Sequence, residues 1–137
     1  MQELEDLLGY RFRNRDILTC ALTHRSALSN RSASEEIANH NERMEFLGDA
    51  LFGLLVSQFL YGAYPLAPEG DLSTMKGRLV SRKALAHIAE SIHLGDFLKL
   101  GKGEELSKGR KKISILAGAL EALISALYLD GGWDLLN

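Results

Sequence analysis

Three carboxylates interrupt the apolar stretch NERMEFLGDALFGLLVSQFLY at residues 41–61. An α-helix turns about 100° per residue, so Glu42, Glu45 and Asp49 would share one face about 60° wide. Like charges three or four residues apart repel each other by about 0.2–0.5 kcal/mol per pair. The spacing therefore indicates either an acidic stripe in solvent, relieved by nearby Arg43, or a site that binds a cation.

A fourth carboxylate, Glu121, stands alone in the apolar stretch ISILAGALEALISALYL. A helix that is apolar on nearly all sides is buried, and a buried carboxylate must be protonated, paired with a basic group or bound to a metal. One interpretation is a buried ion pair with Arg25 or Arg43. The other places Glu121 against Glu45 and Asp49, where Mg²⁺ or Mn²⁺ would neutralise carboxylate oxygens, the ligands these ions prefer.

Two neighbours of the acids are unusual for a solvent-facing helix. Phe46 lies about 40° from Glu42, beside the acids, which predicts an exposed aromatic ring or one that inserts into a partner subunit. Gly48 in mid-helix predicts close backbone packing. The predicted core stripe lies opposite and consists of Leu47, Leu51, Leu54 and Leu55.

A second metal pattern is weaker. Glu90 and His93 form one Glu-x-x-His pair, whereas the di-iron sites that use this motif need two such pairs. His93 is therefore expected at the surface or near a helix end. The remaining histidines, His24, His40 and His87, lack a Ser or Cys context for nucleophilic chemistry and are expected to be structural or surface groups.

The elements that must position these residues are predicted to be helices throughout, giving an all-α fold. Prolines occur only at positions 65 and 68, and no long stretch alternates apolar with polar residues. The predicted helices are one capped by Asn14, one over about 40–61, one starting at Asp71 or Ser73, one capped by Ser81 and one over about 113–130. Loops are predicted over 26–39, becoming helical near Glu35, and over 99–112.

Composition and charge narrow the class of protein. The 137 residues, 46% of them apolar and 25% charged, suit one globular domain. The sequence lacks an uncharged apolar run of about 18–20 residues and a signal-peptide layout, so no membrane partner is expected. A single cysteine, Cys20, fits a reducing cytoplasm.

The net charge of −2 conceals an uneven distribution. Residues 1–75 carry 6 basic and 11 acidic groups (net −5), residues 76–112 carry 10 and 4 (net +6), and residues 113–137 carry 0 and 3 (net −3). A basic block between acidic ones suits a protein that grips a polyanion beside a cation site, or an ordinary solvated surface.

Five segments, in matching order and spacing, resemble the nuclease domain of the ribonuclease III family, endonucleases of double-stranded RNA. They are LTHRS, HNERMEFLGDALFGLLVSQFLY, PEGDLSTMKGRLVSRKALA, LGDFLKLGKGEE and SILAGALEALISALYLDGG. The resemblance spans residues 1–137 and implies a helical homodimer. It also implies Mg²⁺-dependent hydrolysis, with Mn²⁺ able to substitute, that leaves 5′-phosphate and 3′-hydroxyl ends during processing of RNA such as ribosomal precursors.

The resemblance assigns roles to particular residues. The implied metal ligands are Glu45, Asp49 and Glu121, of which Asp49 and Glu121 are also the implied catalytic residues. Glu42 falls near the site, and Phe46 and Glu69 fall at the dimer interface.

The sequence departs from the family at Gly118, where an aspartate is expected three residues before Glu121. Water or another acid could fill the gap in a natural variant; alternatively, the protein was deliberately disabled, or it is a non-catalytic member that only binds RNA. Bacterial members usually continue into a C-terminal RNA-binding domain, which is absent here, so truncation is expected.

Overall fold

The structure, a computed structural model, describes residues 1–28 and 39–136, and both ranges are helical. The helices are α1 (Gln2–Leu8), α2 (Arg15–Ala21), α3 (Glu42–Ala63), α4 (Glu69–Leu79), α5 (Arg82–Ser91), α6 (Lys102–Leu106), α7 (Ile113–Gly131) and α8 (Trp133–Leu136). Short 3₁₀ turns occupy Arg25–Leu28, Leu94–Phe97 and Gly109–Lys111. A parallel bridge between Thr23 and Lys99 is the extent of β pairing in these ranges, so the predicted all-α fold is confirmed.

The centre of the molecule is α7, which packs against α3, α5 and α2. Every residue from Leu116 to Leu123 is buried, as the apolar sequence predicts. Half of these eight residues are Ala or Gly, and small side chains allow neighbouring helices to approach closely. The core thus forms around the helix that carries Glu121.

The second long helix, α3, is apolar but lies at the edge of this core. Leu51 is buried, Leu47 and Leu55 are half-buried, and Leu54 is 53% exposed, which corrects its predicted place in the core stripe. Leu54 sits about 120° from Glu42 around the helix, at the margin of the stripe rather than on it.

By length and composition alone, α3 and α7 could each cross a membrane. Because its residues are buried in the chain itself, α7 is the core helix of a globular domain, and such helices can be as long and as apolar as membrane-spanning ones. Of the most apolar 18 residues in α3, 17% are buried within the single chain, against 56% for α7. Its exposed side therefore needs a different explanation, such as a partner subunit.

Helix starts follow the predicted capping chemistry. The Asn14 side chain accepts a hydrogen bond from the Asp16 backbone N–H at 3.0 Å, and Ser81 Oγ accepts one from the Ala84 N–H at 3.1 Å. The predicted start at Asp71 or Ser73 is wrong, because α4 begins at Glu69, directly after Pro68. Proline fixes its own φ near the helical value but cannot donate, which suits it to helix starts.

The predicted loop over 99–112 is also partly wrong, because it contains α6 and the turn Gly109–Lys111. Arg110 organises this segment: its guanidinium donates to the Gly95 and Leu98 carbonyls at 2.8 and 2.6 Å and to both Glu105 oxygens. Of the loop predicted over 26–39, the first residues lie in the turn Arg25–Leu28, and 29–38 fall outside the described residues.

Asp130, near the end of α7, ties the chain entering α2 to the core helix. Its carboxylate accepts hydrogen bonds from the Tyr10 hydroxyl at 2.7 Å and from the backbone N–H groups of Arg13 and Asn14 at 2.8 and 3.0 Å. These contacts, led by the Tyr10 hydrogen bond, lower the pKa of Asp130 below its ordinary value of 3.8.

Candidate active site

The two long helices touch backbone to backbone where their acids meet. A Cβ built on Gly48 of α3 would lie 1.8 Å from the Glu121 carbonyl oxygen of α7, a distance no side chain tolerates. Close by, the buried Ser125 hydroxyl donates to the Met44 carbonyl at 2.5 Å and ties the same helices together. Gly48 therefore fixes how near the α3 acids come to Glu121, as its mid-helix position predicts.

Glu121 and Asp49 lie within hydrogen-bonding reach of each other. Glu121 is 3% exposed, whereas Asp49 lies at the surface. Burial raises the pKa of Glu121 to about 7, aided by a hydrogen bond with Asp49 and the negative charges of Asp49 and Glu45. Burial first, and then the neighbouring negative charges, disfavour the ionised form of Glu121, and a nearby positive charge favours it.

Arg82, the first residue of α5, supplies part of that charge. Its Nη1 lies 3.2 Å from Glu121 Oε1, and its charge opposes the rise in pKa at both Glu121 and Glu45. The predicted ion pair of Glu121 thus exists, but its partner is neither Arg25 nor Arg43. Arg25 instead lies 3.6 Å from Glu42, at the protein surface.

Glu45 occupies the space that a side chain at position 118 would need. A Cβ built on Gly118 would lie 2.0 Å from Glu45 Oε1. The Glu45 side chain is half-buried there, and its burial is the main cause of a raised pKa. Another acid, rather than empty space, therefore stands over Gly118.

The other predicted residues surround this cluster. Glu42 is exposed at the start of α3, and the Phe46 ring is 83% exposed. Glu69 begins α4, accepts a hydrogen bond from Ser73 Oγ at 2.8 Å and lines a cleft of about 250 Å³ together with Tyr61. Phe46 and Glu69 are therefore both accessible in the single chain, as residues of an interface must be.

The donor set suits a hard divalent cation, because Glu45, Asp49 and Glu121 offer carboxylate oxygens. In their present positions, however, no three His, Cys, Asp or Glu side chains of residues 1–28 and 39–136 are grouped so that they could hold an ion, and Glu90 and His93 form no such group either. The chemistry of the residues fits a hard divalent cation, and Arg82 Nη1 lies 3.2 Å from Glu121 Oε1, one of the oxygens that would hold it.

The basic block contributes to folding as well as to surface charge. Arg110 pairs with Glu105 at 2.7 Å and Lys112 with Glu104 at 2.9 Å, so these two bases neutralise acids of their own segment. The prediction that the basic block of residues 76–112 grips a polyanion therefore applies less to Arg110 and Lys112.

Arg82 is the site residue that sequence reasoning missed. Its signal lies in its position, directly after the cap Ser81 in a helix whose first turn has no acid. The N-terminus of a helix carries partial positive charge and disfavours a cation by a few tenths of a kcal/mol, roughly 0.3–1. A basic residue there indicates a partner outside the helix.

Comparisons with known proteins show the family to which the chain belongs. A family model described as Ribonuclease-III-like matches residues 14–136. Ribonuclease 3 of Magnetococcus marinus is 48% identical over 136 residues, which are 98% of this chain and 55% of that protein. Ribonuclease 3 of Geobacter metallireducens is 52% identical over 130 residues, or 95% and 52% of the two chains. The chain thus spans about half the length of these relatives.

Solved structures give the same result. Two crystallised forms of the nuclease domain of ribonuclease III from Campylobacter jejuni are each 41% identical, with TM-scores of 0.88 and 0.87. The alignments cover 97% and 98% of this chain and 87% and 86% of those chains, and one of the two concerns structural flexibility in the region involved in dimer formation. By sequence and by its all-helical architecture, the chain belongs to the ribonuclease III family and has the fold of its nuclease domain.

Proposed function

We propose that this chain is a divalent-cation-dependent endonuclease domain that hydrolyses double-stranded RNA and leaves 5′-phosphate and 3′-hydroxyl ends. One observation carries the proposal: α7 brings the buried Glu121 against Asp49, with Glu45 beside them on α3. Family membership supports a ribonuclease, and the all-carboxylate donor set supports Mg²⁺, with Mn²⁺ as a substitute.

Divalent cations held by such carboxylates supply charge neutralisation at the phosphoryl oxygens and a more acidic attacking water. The chain's own groups divide the remaining work. Asp49 is exposed and can accept a hydrogen bond from the attacking water, which orients it toward phosphorus. Glu45 and Glu121, both shielded from solvent, would bind the cation, and Gly48 sets their separation.

A homodimer is part of the proposal. Three aromatic side chains of α3 are largely exposed in the single chain, Phe46 (83%), Phe59 (64%) and Tyr61 (79%), and exposed apolar surface of this kind can mark an interface with a partner. Phe46 would insert into the partner, and Glu69 would lie near the interface. Duplex RNA, recognised by shape and 2′-hydroxyl groups, would then lie across both sites.

Two finer points rest on the family alone. Ribosomal RNA precursors are the proposed substrates, and the cytoplasm is the proposed location. Processing of a ribosomal precursor in a strain that lacks its own ribonuclease III would test both together.

A second function has a specific observation in its favour. Gly118 removes one carboxylate, and Arg82 is paired with another, so the chain could bind RNA duplexes without cutting them. We favour cleavage because Glu45 stands in the space over Gly118, which keeps acids around Glu121.

Incubation with a long RNA duplex separates the two functions. With Mg²⁺ and not with EDTA, the enzyme should yield short duplexes bearing 5′-phosphates. Asp49→Asn should reduce the rate by at least about 100-fold, the scale of a lost catalytic group. Asp71→Asn, a change of the same type at an exposed position of α4, should cut normally. A mobility shift with intact RNA would support the binding function instead.

A further inference from the structure

Arg82 reaches the acidic cluster from outside the two helices that build it. It begins α5, and its Nη1 lies 3.2 Å from the Glu121 carboxylate of α7. The same positive charge acts on Glu45 of α3, so the guanidinium faces acids on both long helices. Arg82 thus contacts the Glu121 carboxylate, which a cation bound in this cluster would also have to contact.

The two ends of this ion pair differ in environment. The Glu121 side chain is 4% exposed, whereas the Arg82 side chain is 60% exposed. Glu121 cannot leave without moving the core helix, but the long arginine chain can turn into solvent with little repacking. Because the guanidinium end of the pair is solvated, solvent screens its attraction for Glu121, and a competing cation can take its place at the carboxylate.

Helix stability does not explain the arginine. A basic residue in the first turn opposes the helix dipole, and α5 already has its cap in Ser81. What Arg82 does stabilise is Glu121, which would otherwise be a buried acid beside two other acids. The arrangement also agrees with the absence of a ready three-ligand group among the residues that the structure describes.

We propose that Arg82 is an internal counter-ion that competes with the divalent cation for Glu121. The guanidinium neutralises the carboxylates of the metal-free protein and must withdraw toward solvent before a cation can join Glu45, Asp49 and Glu121. Arg82 is therefore a positioning residue that sets the cation concentration the site requires. This inference rests on the proposed function for the identity of the ligand, a hard divalent cation.

Calorimetric titration with Mn²⁺, without RNA, tests the competition directly. Arg82→Gln should bind Mn²⁺ about tenfold more tightly than the unmodified chain, which corresponds to about 1.4 kcal/mol. Arg82→Lys, which keeps the charge but loses the planar fork, should fall between the two. Lys83→Gln removes the same charge one residue along and should leave the affinity within about twofold.

Thermal unfolding gives an independent reading. In EDTA, Arg82→Gln should melt at a lower temperature than Lys83→Gln, because Glu121 loses its partner. Added Mn²⁺ should reduce that difference in melting temperature. A ligand that binds the folded state stabilises it, and Arg82→Gln, which should bind Mn²⁺ more tightly, should gain more. A merely structural arginine would also lower the melting temperature, but its loss would not tighten Mn²⁺ binding.

The outcomes separate this inference from the proposed function. Loss of Mn²⁺ binding in Asp49→Asn would identify the site. If Arg82→Gln then binds Mn²⁺ equally or more weakly than the unmodified chain, the competition is overturned, and the proposed nuclease function is unaffected. Tighter binding by Arg82→Gln together with intact RNA in every assay supports the competition and overturns the nuclease. Failure of every protein to bind Mn²⁺ overturns the competition.

Discussion

The Glu45 carboxylate lies over Gly118, in the space that a side chain at this position would need. We predict that Gly118→Asp displaces Glu45, because their atoms cannot share that space, and adds a fourth carboxylate to the cluster. Displacement itself should be inexpensive, since the atom that must move is the end of a flexible side chain. Mg²⁺ affinity, measured by calorimetry, should rise at least about tenfold, the lower end of what such ligand changes do.

Gly118→Asn is the matched control, because it has nearly the same shape without the charge. It should move Glu45 equally but leave Mg²⁺ affinity at or below that of the unmodified chain. If the Asp and Asn variants bind Mg²⁺ alike, the missing carboxylate is not what limits the site. Gly118→Ala should fold at least as well as the unmodified chain, since alanine favours helices over glycine by about 1 kcal/mol.

Single residues also show where sequence reasoning stops. Glu121 could be identified because one charge in an apolar helix must have a partner, and that argument is independent of the fold. Its partner could not be identified, because the position of Arg82 indicates a partner outside its own helix but does not say which acid that is until the helices are placed in space. The position of Glu45 over Gly118 depends on a side-chain orientation that no spacing encodes.

At the scale of elements, the site depends on how closely α3 and α7 approach each other. We predict that Gly48→Ala destabilises the fold by at least about 1–3 kcal/mol, the usual cost of overpacking. The added methyl would meet the Glu121 backbone, which cannot turn aside as a side chain can. Urea unfolding at a fixed protein concentration measures the change.

Gly53→Ala provides the comparison on the same helix. Its Cβ would lie 3.8 Å from the nearest atom, on the Lys76 side chain, which is ordinary contact. The substitution should therefore be neutral or stabilising, by up to about 1 kcal/mol. Equal effects of the two substitutions would show that helix propensity, rather than the crossing, determines the result.

Asp130 joins α7 to the chain entering α2, and its charge makes this junction sensitive to acid. The pKa of Asp130 is lower in the folded protein than its ordinary value of 3.8. Its contribution to the free energy of unfolding is therefore complete above pH 3.8 and is lost as the pH falls through the pKa of the folded state. Asp130→Asn should lower the melting temperature at pH 7 by a few degrees. The difference from the unmodified chain should shrink below about pH 3.8. A constant difference between pH 7 and pH 3 would contradict this role.

Elements were predictable where local chemistry defines them. The Asn14 and Ser81 caps and the two long helices follow from capping and apolar runs. The segment 99–112 did not read as helical because its glycines and charges suggest a loop. Its turns are held by Arg110, which bonds carbonyls of Gly95 and Leu98 more than ten residues away in sequence. Such contacts exist only once the fold is formed.

At the scale of the whole molecule, the unusual feature is an apolar helix that the single chain leaves largely uncovered. Of the most apolar 18 residues in α3, 17% are buried. Leu54, which the sequence predicts to lie in the core, is likewise exposed. An apolar sequence pattern indicates that a side chain is buried in the functional protein. It does not indicate whether the side chain packs against its own chain or against a partner. The proposed dimer would reconcile the pattern with the exposure.

Association of two chains through this face can be tested at Phe46, whose ring is 83% exposed. We predict that Phe46→Ala weakens the dimer at least about tenfold, since a central aromatic side chain often contributes about 2 kcal/mol or more to an interface. Leu106→Ala, at an apolar residue that is 85% exposed on α6, is the matched control and should leave association unchanged. Sedimentation equilibrium over a range of concentrations measures both. A dimer of unchanged strength in Phe46→Ala would mean that the ring does not insert into a partner, and the covered face of α3 would have to lie elsewhere along the helix.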